Sequence, residues 1–115
     1  GERSYVSDAL GINGREARKG SYFTFEMKID PAVPNRLMFV YIGDDKDRKF
    51  DIMVDGEKIK TVEWKGGETG KFYNEFYELP AQLISGKTRV TVRVEANYDK
   101  TAGRVFGART VSGNE

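Results

Sequence analysis

Arg48-Lys-Phe-Asp-Ile-Met-Val-Asp-Gly-Glu-Lys-Ile-Lys-Thr-Val-Glu-Trp64 reads as two β-strands reversed at Asp55-Gly56. Phe50, Ile52 and Val54 alternate with Asp51 and Met53, the period-two pattern of a strand with one buried face. An Asp-Gly pair between two such runs suits a two-residue type I′ turn, because both central positions of that turn take φ > 0. The turn sets Ile52 opposite Ile59, but Val62 and Trp64 then fall on the wrong parity to share the buried face. A bulge near Lys60-Thr61 would restore them. The hairpin announces an all-β domain.

The same period runs outward from the hairpin. Tyr22 to Asp30 alternates, with Phe23, Phe25, Met27 and Ile29 on one face and Thr24, Glu26 and Lys28 on the other. Pro31 to Asn35, with two prolines, breaks that strand. Leu37 to Ile42 follows as an unbroken apolar run, which predicts a strand covered on both faces. Beyond the hairpin, Lys65 to Gly70 is a glycine-rich loop and Phe72 to Leu79 an aromatic-rich strand. Pro80 to Gly86 has proline near the start and glycine past the end of one short helical turn. Val90, Val92, Val94 and Ala96 alternate with polar residues as another half-buried strand. Asn97 to Gly103 reads as a loop, and Arg104 to Val111 as the closing strand. Residues 1–20 show no clear period and read as an irregular lead-in. Seven strands with turn signals between them predict two packed antiparallel sheets. The helical turn before a Val-rich strand, and the lack of a Cys pair around a core Trp, favour a jelly roll over an immunoglobulin sandwich.

The 115 residues are the size of one domain with a single core, and Gly1 in place of an initiator Met suggests a piece of a longer parent. With no cysteine, neither a disulfide nor a zinc-thiolate site is open to the chain. With no histidine, it lacks the commonest general base and the commonest metal ligand. Nineteen basic and 18 acidic residues are interspersed, for a net charge of +1. That balance leaves no electrostatic footprint for nucleic acid or an anionic membrane. No apolar run approaches the roughly 20 residues of a helical membrane span.

Few residues offer chemistry. Asp44, Asp45 and Asp47 are the densest carboxylate group, and hard oxygens at this spacing suit calcium, although the glycine and terminal Glu of an EF-hand loop do not line up. A structural calcium is one use of these residues and a solvated turn the other; no other cofactor is implied. Paired carboxylates for glycosidic cleavage arise by chance in a chain with 18 acids, and none is singled out by a helper. The serines lack a histidine to activate them and none lies in a Gly-x-Ser-x-Gly turn. Gly11 to Gly14 and Gly66 to Gly70 lack the Gly-Lys-Ser/Thr ending of a phosphate loop and read as turns. Aromatic rings remain, since a sugar lays its apolar face on Trp or Tyr while acids, amides and arginines take its hydroxyls. Trp64, at a strand end beside a glycine-rich loop, is the best-placed platform, and Tyr98 in a polar loop is second. A lone Trp in a small sandwich more often fills the core. Arg15 and Arg18, in the lead-in, would hold a ligand carboxylate, cap carbonyls or meet a neighbouring domain.

The order of motifs adds a family resemblance. Gly14-Arg-Glu-Ala-Arg18, Gly20-Ser-Tyr-Phe-Thr-Phe25, Tyr41-Ile-Gly-Asp-Asp45, Phe50-Asp-Ile-Met-Val-Asp-Gly-Glu-Lys-Ile59, Gly70-Lys-Phe-Tyr73, Leu79-Pro80, Gly86-Lys-Thr-Arg-Val-Thr-Val-Arg-Val94 and Thr101-Ala-Gly-Arg-Val-Phe-Gly-Ala-Arg109 follow one another. Together, from about Gly14 to Val111, they resemble the C-terminal β-sandwich of bacterial glycoside hydrolases of the β-L-arabinofuranosidase type, many of them from gut Bacteroides. The resemblance implies a galactose-binding-like jelly roll attached to an α-helical catalytic barrel, in a secreted or periplasmic parent. The catalytic glutamate and cysteine-held zinc of that family lie in the barrel, so neither carries over to this chain. The expectation is a non-catalytic accessory domain whose partner is the catalytic domain of the same chain. The alternative is a carbohydrate-binding module for plant-type oligosaccharides, with Trp64 and Tyr98 lining its groove. A docking domain is expected to expose an apolar patch where the barrel would sit.

Overall fold

The computed structural model describes residues 4–9, 12–17, 22–96, 102–105 and 107–112. Ten strands and one short helix occupy them: β1 (Ser4–Ala9), β2 (Ile12–Ala17), β3 (Tyr22–Lys28), β4 (Asn35–Ile42), β5 (Arg48–Val54), β6 (Glu57–Trp64), β7 (Phe72–Leu79), α1 (Ala81–Ile84), β8 (Arg89–Ala96), β9 (Ala102–Val105) and β10 (Gly107–Ser112). The antiparallel pairs are nested around the Asp55-Gly56 turn. β5 pairs with β6, β4 with β7, β3 with β8 and β2 with β9. One long double strand has thus been wound up, which is the plan of a jelly roll. Winding joins β5 to β8 and β4 to β10, giving facing sheets in the orders β3-β8-β5-β6 and β10-β4-β7. A third sheet, β1-β2-β9, is joined to the sandwich through the chain from β9 to β10.

The core lies between the two larger sheets. Phe23, Phe50, Ile52, Val54, Val90, Val92 and Val94 of one sheet meet Leu37, Phe39 and Tyr41 of the other, all of them buried. Burial of this set is the dominant stabilising term, at roughly 1.5–3 kcal/mol for each fully buried large apolar side chain. The aromatic contact between Tyr41 and Phe50, with centroids 6.0 Å apart, crosses between the layers.

The turn has the expected backbone. Asp55 takes φ 48° and Gly56 φ 86°. The Lys87 ammonium, 2.6 Å from one Asp55 oxygen, and the Thr91 amide, 2.8 Å from the other, hold the Asp55 carboxyl below its usual range. An alanine at Gly56 would meet no atom but would keep the left-handed φ. Gly56→Ala is therefore expected to lower unfolding free energy by about 1–2 kcal/mol, through backbone strain alone. Urea denaturation of the two chains measures it.

Several expectations need correction. The lead-in is not irregular where it is described. β1 and β2 form an antiparallel pair with Ala9 opposite Ile12. The closing strand is two strands, because Ala102–Val105 pairs with β2 and Gly107–Ser112 with β4. The expected bulge is present at Ile59, one residue before Lys60-Thr61, since Met53 faces Lys58 while Ile52 faces Lys60. Ile52 and Ile59 are consequently not opposite one another. β4 is deeply buried on one face only, with Arg36, Met38 and Val40 half-buried on the other.

Candidate functional site

At one end of the sandwich, β4 runs into the Gly43 loop and β6 into the Gly66 loop. The bulge at Ile59 brings Phe50 opposite Val62 and Arg48 opposite Trp64, so the indole continues the inward-facing row at the last pair of the hairpin. There the opposing sheet supplies Tyr41. The two rings stack with centroids 5.1 Å apart and planes inclined by 29°. Tyr73 leans on the indole from β7 at 5.4 Å. Trp64 Nε1 donates to the Ile42 carbonyl at 3.1 Å, and the same oxygen accepts the Asp45 amide at 3.2 Å. Trp64 is nonetheless only half-buried. Its remaining surface lines a depression of about 300 Å³ together with Asp47, Arg48, Lys49, Glu63 and Lys65.

The loops behind the ring are interlocked. Gly43 donates its amide to the Lys71 carbonyl at 2.9 Å, and Gly67 donates to the Gly43 carbonyl at 3.0 Å. The Gly70 amide is bound by Asp44 Oδ1 at 2.6 Å, and the Glu68 amide by the Tyr73 hydroxyl at 2.9 Å. Around the depression, Lys49 pairs with Glu63 at 3.6 Å and Arg48 with Asp45 at 3.5 Å. The result is a fixed, half-buried indole bordered by charges of both signs. Such a surface can stack an apolar ring face and exchange hydrogen bonds with hydroxyls.

Beneath the depression the Tyr41 and Tyr77 hydroxyls share a hydrogen bond of 2.8 Å. Burial raises both phenols, Tyr41 the more strongly and Tyr77 to about 12, from an ordinary value of 10. Their shared hydrogen bond acts oppositely on the two, raising Tyr41 and lowering Tyr77. Above pH 10 the unfolded chain loses these protons while the folded chain keeps them, so stability falls as pH rises. The loss due to Tyr77 runs from pH 10 to about 12, with a limiting slope of about 1.4 kcal/mol per pH unit for one group. Urea midpoints measured from pH 9 to 11.5 are expected to drop less steeply in Tyr77→Phe than in the natural chain.

The sequence candidates are not brought together as one site. Asp44 is spent on the Gly70 amide, Asp45 is 4% exposed beside Arg48, and Asp47 occupies a turn with φ 56°. The three do not converge, and no group of three or more acidic side chains suited to a metal occurs among the described residues. A calcium site built on them is therefore not supported by the geometry. Arg15 lies on β2, opposite Val6 of β1 and Val105 of β9. Arg18 and Tyr98 lie outside the described residues. Sequence reasoning did not assign Arg48, Lys49, Glu63 or Lys65 to the site. The hairpin register carried that signal, since any bulge before Val62 puts Trp64 against Arg48.

A protein-family model described as "Family of unknown function (DUF6805)" matches residues 8–111. No curated protein matches the chain in sequence. Two solved structures share its fold, each with a TM-score of 0.64 and 13% sequence identity. One is a family 35 carbohydrate binding module from an environmental isolate, with 84% of this chain and 68% of that one covered. The other is the native structure of a family 35 carbohydrate binding module from Clostridium thermocellum, with 95% and 88% covered. At this identity the likeness establishes the β-sandwich fold.

Proposed function

The chain belongs to the DUF6805 family, a family of unknown function, and we propose that it is a non-catalytic carbohydrate-binding module that takes plant-type glycans at the Trp64 depression. The observation that carries this reading is the indole itself. Tyr41, Tyr73 and the Ile42 carbonyl fix the ring, yet part of it stays at the surface among side chains that hydrogen-bond. A platform ordered before binding costs little conformational entropy when a ligand arrives. The shared fold with two carbohydrate binding modules supports the same reading.

Docking on a catalytic barrel, the role first expected, has less support. Among the residues whose side chains are described, Phe76 is the one exposed large apolar residue, at 46%, and the Arg36 guanidinium lies 4.6 Å from its ring centroid. In the proposed role the module is carried by a longer secreted or periplasmic chain and holds a hydrolase partner near its glycan.

Native affinity electrophoresis through gels containing arabinan, galactan or xylan tests the proposal. Selective retardation by at least one polymer, reduced in Lys65→Ala, is the expected result. Equal mobility in all gels, with and without polymer, would overturn it.

A further inference from the structure

We propose that the Trp64 depression is one end of a continuous groove along the β6 and β7 edges, built to hold an extended, neutral, hydroxyl-rich glycan chain along its length. This inference rests on the carbohydrate-binding reading and concerns how much of a chain is held. β6 ends one sheet and β7 ends the other, so the two edge strands face each other on an open side of the sandwich. Three depressions lie in series there. The first, at Trp64, shares Lys49 and Glu63 with a larger one of about 520 Å³. That one shares Lys60, Glu75 and Tyr77 with a third of about 400 Å³, which reaches Ile59 and Glu78. From Trp64 back to Ile59 the groove follows β6 for roughly 17 Å at the usual strand rise. Several sugar rings in a row fit such a length.

The lining selects the ligand. In the middle of the groove Lys49 and Lys60 stand against Glu63 and Glu75. A polyanion or a polycation would meet two like charges there, whereas a neutral polyol can donate to the carboxylates and accept from the ammonium groups. Trp64 stands at one end, and Tyr77 lines both of the other depressions. An added peptide strand fits less well. β6 carries a bulge at Ile59 between Lys58 and Lys60, and a bulge flanked by edge lysines spoils the straight ladder that a new strand would extend.

Isothermal titration of the chain with linear arabino-, galacto- and xylo-oligosaccharides of two to six residues, and with oligogalacturonides of the same lengths, tests the groove. For the neutral series that binds, affinity should rise at least tenfold from the disaccharide to the longest chain. Lys60→Ala and Glu75→Gln should each remove most of that gain while shifting disaccharide affinity less than twofold. If a neutral disaccharide binds as tightly as the hexasaccharide, or if both variants leave the hexasaccharide unchanged, the groove is wrong and the Trp64 site stands alone. Tighter binding of the oligogalacturonides would overturn the neutral-chain assignment. No binding in any series would remove the carbohydrate reading and the groove together.

Discussion

Gly43→Ala is expected to destabilise the protein by about 3 kcal/mol, at the upper end of what overpacking a well-filled site costs. A Cβ at Gly43 would overlap the Glu68 carbonyl oxygen and sit 2.7 Å from the Gly67 carbonyl carbon. Both neighbours are backbone, so no rotamer change can relieve the contact. The two loops must separate, which strains the bonds from Gly43 to Lys71, from Gly67 to Gly43 and from Gly70 to Asp44. Those bonds position the chain behind Trp64. The substitution should therefore lower the urea midpoint with an unchanged m-value, and weaken glycan retention in the folded fraction. A midpoint within error of the natural chain would show that the loops are not interlocked.

Trp64→Ala should cost about 2–4 kcal/mol, less than the largest buried-Trp truncations because the ring is half-exposed. The stack on Tyr41 and the contact with Tyr73 are lost, and the void opens to solvent at the depression. The Ile42 carbonyl keeps the Asp45 amide, so its loss of the indole donor adds only modestly. Trp64→Phe separates the ring's two roles. It retains most of the packing and should recover more than half of the lost stability in a urea titration. A null effect of Trp64→Ala would mean that the indole does not pack on the sandwich.

Much of this architecture was legible because the hairpin is its centre. The Asp55-Gly56 turn, the period-two rows of β3 and β8, and the helical turn after Pro80 each follow from local chemistry and appear where the sequence puts them. The jelly-roll sandwich follows from nesting further strand pairs around that hairpin. What was missed depends on tertiary pairing. β1 and β2 are short and lack a clean alternation, and they gain their ladder from each other and from β9. The split between β9 and β10 reflects a change of partner, which no local pattern marks. β4 reads as uniformly apolar because its outward Met38 and Val40 are themselves apolar, although they are only half-buried.

The candidate site was legible in part. Trp64 stood out by its place at a strand end, but its choice between core and platform depends on how far Tyr41 reaches across the sandwich. In the structure the ring packs on Tyr41 and Tyr73 and stays half-buried. Close spacing in sequence does not by itself aim the aspartate carboxylates at a common point. In the folded loop Asp44 turns to Gly70 and Asp45 toward Arg48. The polar rim came from the hairpin register, which was predictable only once the bulge was placed.

The most direct test is a titration of Trp64 emission in the natural chain with arabinose-, galactose- and xylose-containing plant oligosaccharides. Trp64 is the only tryptophan, so the signal reports the proposed site alone. A saturable shift with one class of sugar and none with the others is the predicted result. A flat emission across the panel, from a protein that is folded by circular dichroism, would contradict the carbohydrate-binding role of the Trp64 depression.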